Sequence, residues 1–424
     1  MNHVTLIPKE MRALVLDGTG FDRLRIRTVP VPRPGPDQLL ARVDAAGICT
    51  SLIKLIEQGP RHSLLYGWDI AASPLILGDE GSVTLVKVGA NLKTRYRAGE
   101  RYVVQPAVDH PPIRHRERYA DGGLGIEKVA VGYTLPGHLA EYMLIPEETL
   151  ASGCLLPLPD NRIPYAYAAL AEPISCVISG QDHHLHLIQP ESNAPRQSQR
   201  GLKAGGITLI VGAGAMGRLH ADLALNYKPR VLIVVDLIAE RLAKLVEILG
   251  KRATDAGVEL LGLNPARENV TTVIDEKSDL RGADDVIVAV GSRQAIENAQ
   301  TYLARGGVLN LFGGLKKGED RVALDAAIVH YKEIVVTGSS GGSPWDMARS
   351  LELMAGGKVD AGAHIARIGD LDHAKEFLEM VRNQRIDGKA VVYPHRRIDR
   401  ILAVSSWSGE DERNHLQGAA GHPC

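Results

Sequence analysis

The 424-residue sequence predicts an α/β plus β protein: a barrel-like all-β domain followed by a doubly wound parallel sheet. Three observations point there. The run Gly206-Ile-Thr-Leu-Ile-Val-Gly212-Ala-Gly214-Ala215-Met216-Gly217 joins a β-branched strand to closely spaced glycines. From about Gly205 onward, strand and helix patterns alternate. Residues 11–180, by contrast, are rich in glycine, proline and short β-branched runs.

The glycine run is the most informative of the three. Ile207–Val211 is short, apolar and β-branched, the pattern of a buried parallel strand. Gly212 permits a tight turn, Gly214 lets the backbone approach a pyrophosphate, and Gly217 allows the helix expected over Ala215–Asn226 to pack closely. A second strand, Val231–Val235, ends in Asp236, where a carboxylate can hold the adenosine ribose hydroxyls. An ordinary glycine-rich turn leaves that acid unexplained. Further strands are expected at Val258–Leu263, Val286–Val290, Val308–Phe312 and Ile334–Thr337, the six of a doubly wound sheet. Helices Ala239–Leu249 and Arg293–Leu303 fall between them. The cofactor-binding candidates are therefore Gly212, Gly214, Ala215, Met216, Gly217, Asp236, Leu237 and Arg241, with Val290, Gly291, Phe312 and Gly313 at the later strand ends. Asp236 would repel a 2′-phosphate, and Leu237-Ile238 supply no arginine to offset it, so NAD is expected. Arg241 keeps NADP open.

In the first half, strands are expected at Ala13–Leu16, Leu39–Val43, Ser82–Val88, Arg101–Val104 and Leu139–Ile145. Amphipathic helices Pro344–Ala355 and Asp370–Arg382 and a strand Ala390–Tyr393 are read as returning to this domain. The boundaries follow as 1–178, 179–340 and 341–424. Two segments look inserted. Asp109–Lys128 carries the basic cluster Arg114-His115-Arg116-Glu117-Arg118, read as a solvated loop with phosphate recognition as the alternative. Gln181–Gly201 carries His183-His184-Leu185-His186. With no matching carboxylate nearby in sequence, those histidines too are read as a solvated loop rather than a metal site. The tail from Arg397 is polar and expected to fray at its end.

Composition excludes several classes. A net charge of −1 gives no electrostatic case for nucleic acid or a membrane surface. No run approaches the roughly 18 apolar residues of a membrane span. Cys49, Cys154, Cys176 and Cys424 offer neither a disulfide framework nor a Cys-x-x-Cys loop. A cytoplasmic protein is the expectation.

Three pieces ahead of the dinucleotide motif carry chemistry: Ala46-Gly47-Ile48-Cys49-Thr50-Ser51, Leu77-Gly78-Asp79-Glu80-Gly81, and Ala171-Glu172-Pro173. A thiolate and several carboxylates suit a divalent metal acting as Lewis acid. Such an ion lowers the pKa of an alcohol oxygen, and a hydroxyl such as Ser51 can pass the proton outward. Singly, each residue has a plainer reading: Cys49 as a small buried hydrophobe, Asp79-Glu80 as a turn, Glu172 in the first turn of a helix.

In this order, the pieces resemble the zinc-dependent medium-chain dehydrogenases/reductases, the alcohol and sorbitol dehydrogenase superfamily. Gly47-Ile-Cys49, Gly78-Asp-Glu-Gly81, Val88-Gly89, Gly99-Glu-Arg101, Gly137-His-Leu-Ala-Glu141-Tyr, Glu172-Pro173, the glycine run and Asp236-Leu-x-x-x-Arg241-Leu carry the resemblance over residues 11–395. Glu172-Pro173 is similar to the sorbitol dehydrogenase branch. His330-Tyr331-Lys332 and Thr337-Gly-Ser-Ser-Gly-Gly-Ser343 resemble sorbose-1-phosphate reductases. The resemblance implies a GroES-like β-barrel catalytic domain and a Rossmann domain, one catalytic zinc on Cys49, Asp79 and Glu172 with Glu80 as further or alternating ligand, and a homodimer or homotetramer. It implies oxidation of a secondary alcohol of a polyol, sugar or sugar phosphate.

Departures accompany the matches. Asp79 stands where the family usually has a histidine ligand, so three negative charges would surround the ion; manganese becomes conceivable. Lys54 replaces the outer proton-relay histidine. Residues 107–132 contain no cysteine, so no structural zinc is expected. Lys54, Arg61 and Arg114–Arg118 are the cations available to a substrate phosphate. Two other readings stay open: a metal-free reductase of the quinone reductase type, and a nucleotide-binding scaffold without chemistry.

Overall fold

A computed structural model describes residues 7–109, 116–119, 122, 124, 126, 128–315 and 318–418. The chain forms two compact units, Met1–Pro173 with Ser343–Cys424, and Ile174–Gly342. Sequence patterning places the junctions at 178 and 340; the units divide at Pro173 and Gly342.

In the first unit, the strand Leu39–Gly47 is the hub. It pairs antiparallel with Glu80–Val88, Tyr142–Ile145 and the returning strand Lys389–Tyr393. Ile365–Asp370 runs parallel to Lys389–Tyr393, and Leu402–Ala403 closes that edge. Nearly every residue of Leu39–Gly47 is buried, because the sheet curls around a core that includes Leu39, Val43, Val83, Val104, Ile145, Phe377 and Val392. Burial of this kind is the main favourable term in folding.

The polar tail is not loose along most of its length. Trp407 is buried and donates from Nε1 to the Tyr393 hydroxyl at 2.8 Å. Glu412, also buried, accepts from the Tyr165 and Ala166 amides at 2.7 and 2.8 Å, capping the helix Tyr165–Ala169. Pro164 precedes that helix and cannot cap it through a side chain, so a carboxylate from the far end of the chain does so. Any fraying of residues 419–424 lies outside the described residues.

The second unit holds six parallel strands in the order Glu259–Leu263, Val231–Val235, Ile207–Val211, Ala283–Val288, Leu303–Leu311, Val335–Gly338. Connection direction reverses beside Ile207–Val211, the place where doubly wound sheets bind ligands. The helix after the second strand runs Ala239–Ala256, past the expected end at Leu249. Gly250 continues the helix, and Gly257, at φ 70°, is the left-handed stop. The helix expected over Arg293–Leu303 ends at Ala299 and tightens through Gln300–Tyr302; Leu303 opens the next strand. In the first unit, Asp370 likewise ends a strand and caps the turn before the helix Ala374–Arg382.

The histidine segment corrects the sequence reading most clearly. Leu185–Ile188 and Gln197–Arg200 form a hairpin in which His184 and His186 point inward while Leu185 and Leu187 are exposed. Both rings meet Asp285, a carboxylate about a hundred residues away along the chain. The polarity is inverted relative to an ordinary half-buried strand, so the segment does not read as one.

Candidate active site

The site in the first unit follows from strand pairing. Gly47 lies opposite Glu80, and a Cβ at residue 47 would fall 2.1 Å from Glu80 Oε2. The glycine of Gly-Ile-Cys therefore makes room for the carboxylate. Chain direction then changes at Cys49, and the helix Ser51–Gln58 starts with Ser51 Oγ donating to Asp79 Oδ2 at 2.5 Å. From the returning strand, Lys389 is buried and donates from Nζ to Glu80 Oε1 at 2.5 Å and to the Ile48 carbonyl at 3.2 Å.

Charge is the dominant feature. Burial pushes the Asp79 carboxyl up to about 6, helped by the charge of Glu80. Burial also drives the Cys49 thiol well above its usual range, and Asp79, Glu80 and Glu172 add to this while Lys389 opposes it. Asp79 Oδ1 and Glu80 Oε2 are buried without a hydrogen-bond partner. A thiol and three carboxylates thus face one lysine, and two oxygens lack the donor that buried anions need. That donor set fits a divalent cation. Among the described residues, the set of three such side chains with ligand atoms all within 4.8 Å of one another is elsewhere, at His184, His186 and Asp285.

Sequence reasoning missed three residues here. Lys389 had a signal, a lysine opening an otherwise apolar strand, Lys389-Ala-Val-Val-Tyr393. Tyr133 had none. Its hydroxyl is hydrogen-bonded to Ser51 and lies within reach of the charges on Asp79, Cys49 and Glu172; burial first, then Asp79, pushes it well up. His62 packs on the Tyr133 ring at 5.4 Å and takes the Leu64 amide on Nδ1. Lys54 is exposed on its helix, and its charge reinforces burial in lowering the pKa of His62. Beside Tyr133, a cavity of about 270 Å³ is also lined by Trp68, Arg118, Tyr119 and Glu148. Arg118 lies over the Trp68 ring at 5.3 Å. Arg114 and His115 fall outside the described residues.

In the second unit each glycine of the fingerprint has its own geometry. Gly212 turns at φ 107°; a Cβ at Gly217 would fall 1.8 Å from the Gly212 carbonyl; at Gly214 a Cβ would meet nothing within 4 Å. The backbone at Gly214 is therefore open where a side chain would otherwise stand. Ala215 and Met216 begin the helix with part of their surface accessible. Asp236 accepts from the Ala213 amide through Oδ2 and the Ile238 amide through Oδ1, both at 2.8 Å. Arg241 Nη1 stands 3.7 Å from Asp236 Oδ2, and Leu237 is exposed. Val290, Gly291, Phe312 and Gly313 lie just past the strand ends and keep accessible surface.

A barrel with a buried acid–thiol site and a doubly wound dinucleotide sheet define a dehydrogenase. The alcohol dehydrogenase GroES-like domain family matches residues 35–160, and the zinc-binding dehydrogenase family matches 215–356. Mannitol-1-phosphate 5-dehydrogenase of Aliivibrio fischeri is 33% identical over 384 residues, 89% of this chain and 85% of the relative. L-sorbose 1-phosphate reductase of Klebsiella pneumoniae is 29% identical, covering 83% and 81%. The crystal structure of 2R,3R-butanediol dehydrogenase from Bacillus subtilis shares the fold at TM-score 0.69 and 21% identity, covering 91% of this chain and all of that one. The chain belongs to the zinc-type medium-chain dehydrogenases/reductases, a family of alcohol and polyol oxidoreductases. No helix among the described residues is long and apolar enough to cross a membrane.

Lys389 offers a direct test of the buried charge. Lys389→Met leaves Glu80 uncompensated and is expected to cost about 3–5 kcal/mol in denaturant unfolding. Lys389→Met combined with Glu80→Leu should recover most of that loss. A single variant as stable as wild type would mean that Glu80 is not held as an anion.

Proposed function

We propose that the protein oxidises a secondary alcohol of a hexitol phosphate to the ketose phosphate, reversibly, with NAD as hydride acceptor and one zinc ion. The observation that carries the reading is the pair of buried, partnerless oxygens on Asp79 and Glu80 beside the Cys49 thiol. Cys49, Asp79 and Glu172 are the proposed ligands, with Glu80 as further or alternating ligand. A zinc ion held there would supply Lewis acidity toward the alcohol oxygen, and the nicotinamide would supply the hydride acceptor. Ser51 gives its proton to Asp79, which leaves one lone pair for Tyr133 and one for the proton of the substrate alcohol, the Ser51 proton moving to Asp79 as that one arrives. Tyr133, bonded to the same hydroxyl, fixes the Ser51 rotor. Lys54, exposed and with its charge reaching His62, is the proposed outer member of that relay.

The substrate class rests on two supports: both curated relatives above are named for phosphorylated sugars or polyols, and Arg118 lines the cavity that Tyr133 walls. A guanidinium grips phosphate bidentately. NAD is favoured because the Asp236 carboxylate repels a 2′-phosphate, and Arg241 is drawn to that carboxylate.

Three outcomes follow. Cys49→Ala should lose the zinc, measured by elemental analysis, and at least about a thousandfold in turnover, while Asp79→His keeps the metal. Full activity and metal in Cys49→Ala would sink the site. With wild type, kcat/KM should favour NAD over NADP by about tenfold or more, and Asp236→Ala should narrow that ratio from both sides; a wild-type preference for NADP would reverse the assignment. Arg118→Ala should raise KM for mannitol 1-phosphate about tenfold and spare free mannitol. Equal effects on both would leave Arg118 without a role in phosphate binding.

A further inference from the structure

His184 and His186 stand two residues apart, so strand alternation sends both rings to one face. Asp285 meets them from the strand Ala283–Val288. His184 Nδ1 lies 2.6 Å and His186 Nε2 2.9 Å from Asp285 Oδ1, while Asp285 Oδ2 accepts from the Lys203 amide at 2.8 Å. The relative exposures are 0%, 5% and 0%. This is a closed, built cluster, distinct from the active-site acids in both location and chemistry.

A carboxylate this deep needs a cation. Among the described residues no lysine or arginine side chain pairs with Asp285; the Lys203 ammonium turns to Asp284 at 2.6 Å. Both rings and the Lys203 amide converge on this one carboxylate. The missing positive charge is either an imidazolium or a metal ion. His184 Nε2 is buried without a partner. An imidazolium there would carry an unmet N–H in the interior, which is unfavourable for a charged group. Two imidazoles and a carboxylate with ligand atoms all within 4.8 Å of one another are a donor set for a divalent ion.

We propose that His184, His186 and Asp285 form a second metal site, in the nucleotide-binding unit, for a divalent ion of the zinc or cobalt class. Two imidazoles and one carboxylate select such ions over magnesium or calcium. Bonds of about 2.0–2.2 Å place ligand atoms about 3.3 Å apart on a tetrahedral ion, so loading opens the present contacts by about half an ångström. Each ring then keeps its proton on the other nitrogen. For His184 that is Nε2, which is buried. The ion would fasten the Leu185–Arg200 hairpin to the sheet.

Cobalt(II) reloading of the chelator-stripped full chain tests this independently of the active site. Wild type should take two ions per chain, one showing the near-ultraviolet charge-transfer band of a thiolate ligand. Cys49→Ser should keep one ion and lose the band; Asp285→Asn and His186→Ala should keep the band and one ion. NADH binding checks that each variant is folded, and a zinc-dependent rise in the melting temperature of Cys49→Ser, abolished by adding His186→Ala, gives a second readout. If Cys49→Ser takes up no ion, or His186→Ala holds as many as wild type, the cluster is a hydrogen-bonded network and the proposal fails. A single wild-type ion that survives Cys49→Ser but not His186→Ala would uphold this site and overturn the catalytic zinc instead.

Discussion

The pairing of Leu39–Gly47 with strands on both sides is the constraint on which the catalytic unit depends. One neighbour, Glu80–Val88, brings Glu80 opposite Gly47; the other, Lys389–Tyr393, brings Lys389 beside Ile48. Three stretches far apart in sequence therefore deliver a thiol, two acids and a lysine to one sheet end. Because backbone ladders set these positions, no flexible loop has to find them. A one-residue slip in register would send Glu80 to the opposite face.

That arrangement buries like charges together, which is normally unfavourable. Lys389 meets only part of the demand, since its ammonium reaches one oxygen of Glu80 and a carbonyl, leaving Asp79 to Ser51. Where family relatives commonly place a neutral histidine, Asp79 adds a further acid. The lysine offsets charge at Glu80, the neighbouring residue, and the surplus is the feature on which the proposed cation site rests. Stability and function pull against each other here, as they do at many sites built to bind ions.

Much of this was legible in the sequence, and the reasons are local. The fingerprint glycines, the β-branched strands and Asp236 each act within a few residues, and the observed strands Ile207–Val211 and Val231–Val235 match the pattern residue for residue. Motif order singles out Cys49, Ser51, Asp79 and Glu80, which the fold brings together. Glu412 capping a helix about 250 residues away, Tyr133 on Ser51, and Asp285 between two histidines all depend on tertiary pairing that no window of sequence contains. Helix ends were misjudged for a narrower reason: Gly250 looks like a stop, but a glycine ends a helix only where the backbone turns left-handed, as at Gly257.

The hairpin histidines show how far polarity alone can mislead. A strand with histidines inward and leucines outward looks solvated, because the reading assumes that polar residues seek water. Burial reverses that assumption whenever a partner is present: once Asp285 occupies the interior, two imidazoles satisfy it better than leucines would. The two buried acidic clusters then obey one rule with different donors. In the barrel, a lysine covers one carboxylate and leaves oxygens open; in the nucleotide-binding unit, rings and a backbone amide surround the carboxylate and leave a ring nitrogen open. In each case a buried polar atom next to the carboxylate cluster is left without a hydrogen-bond partner.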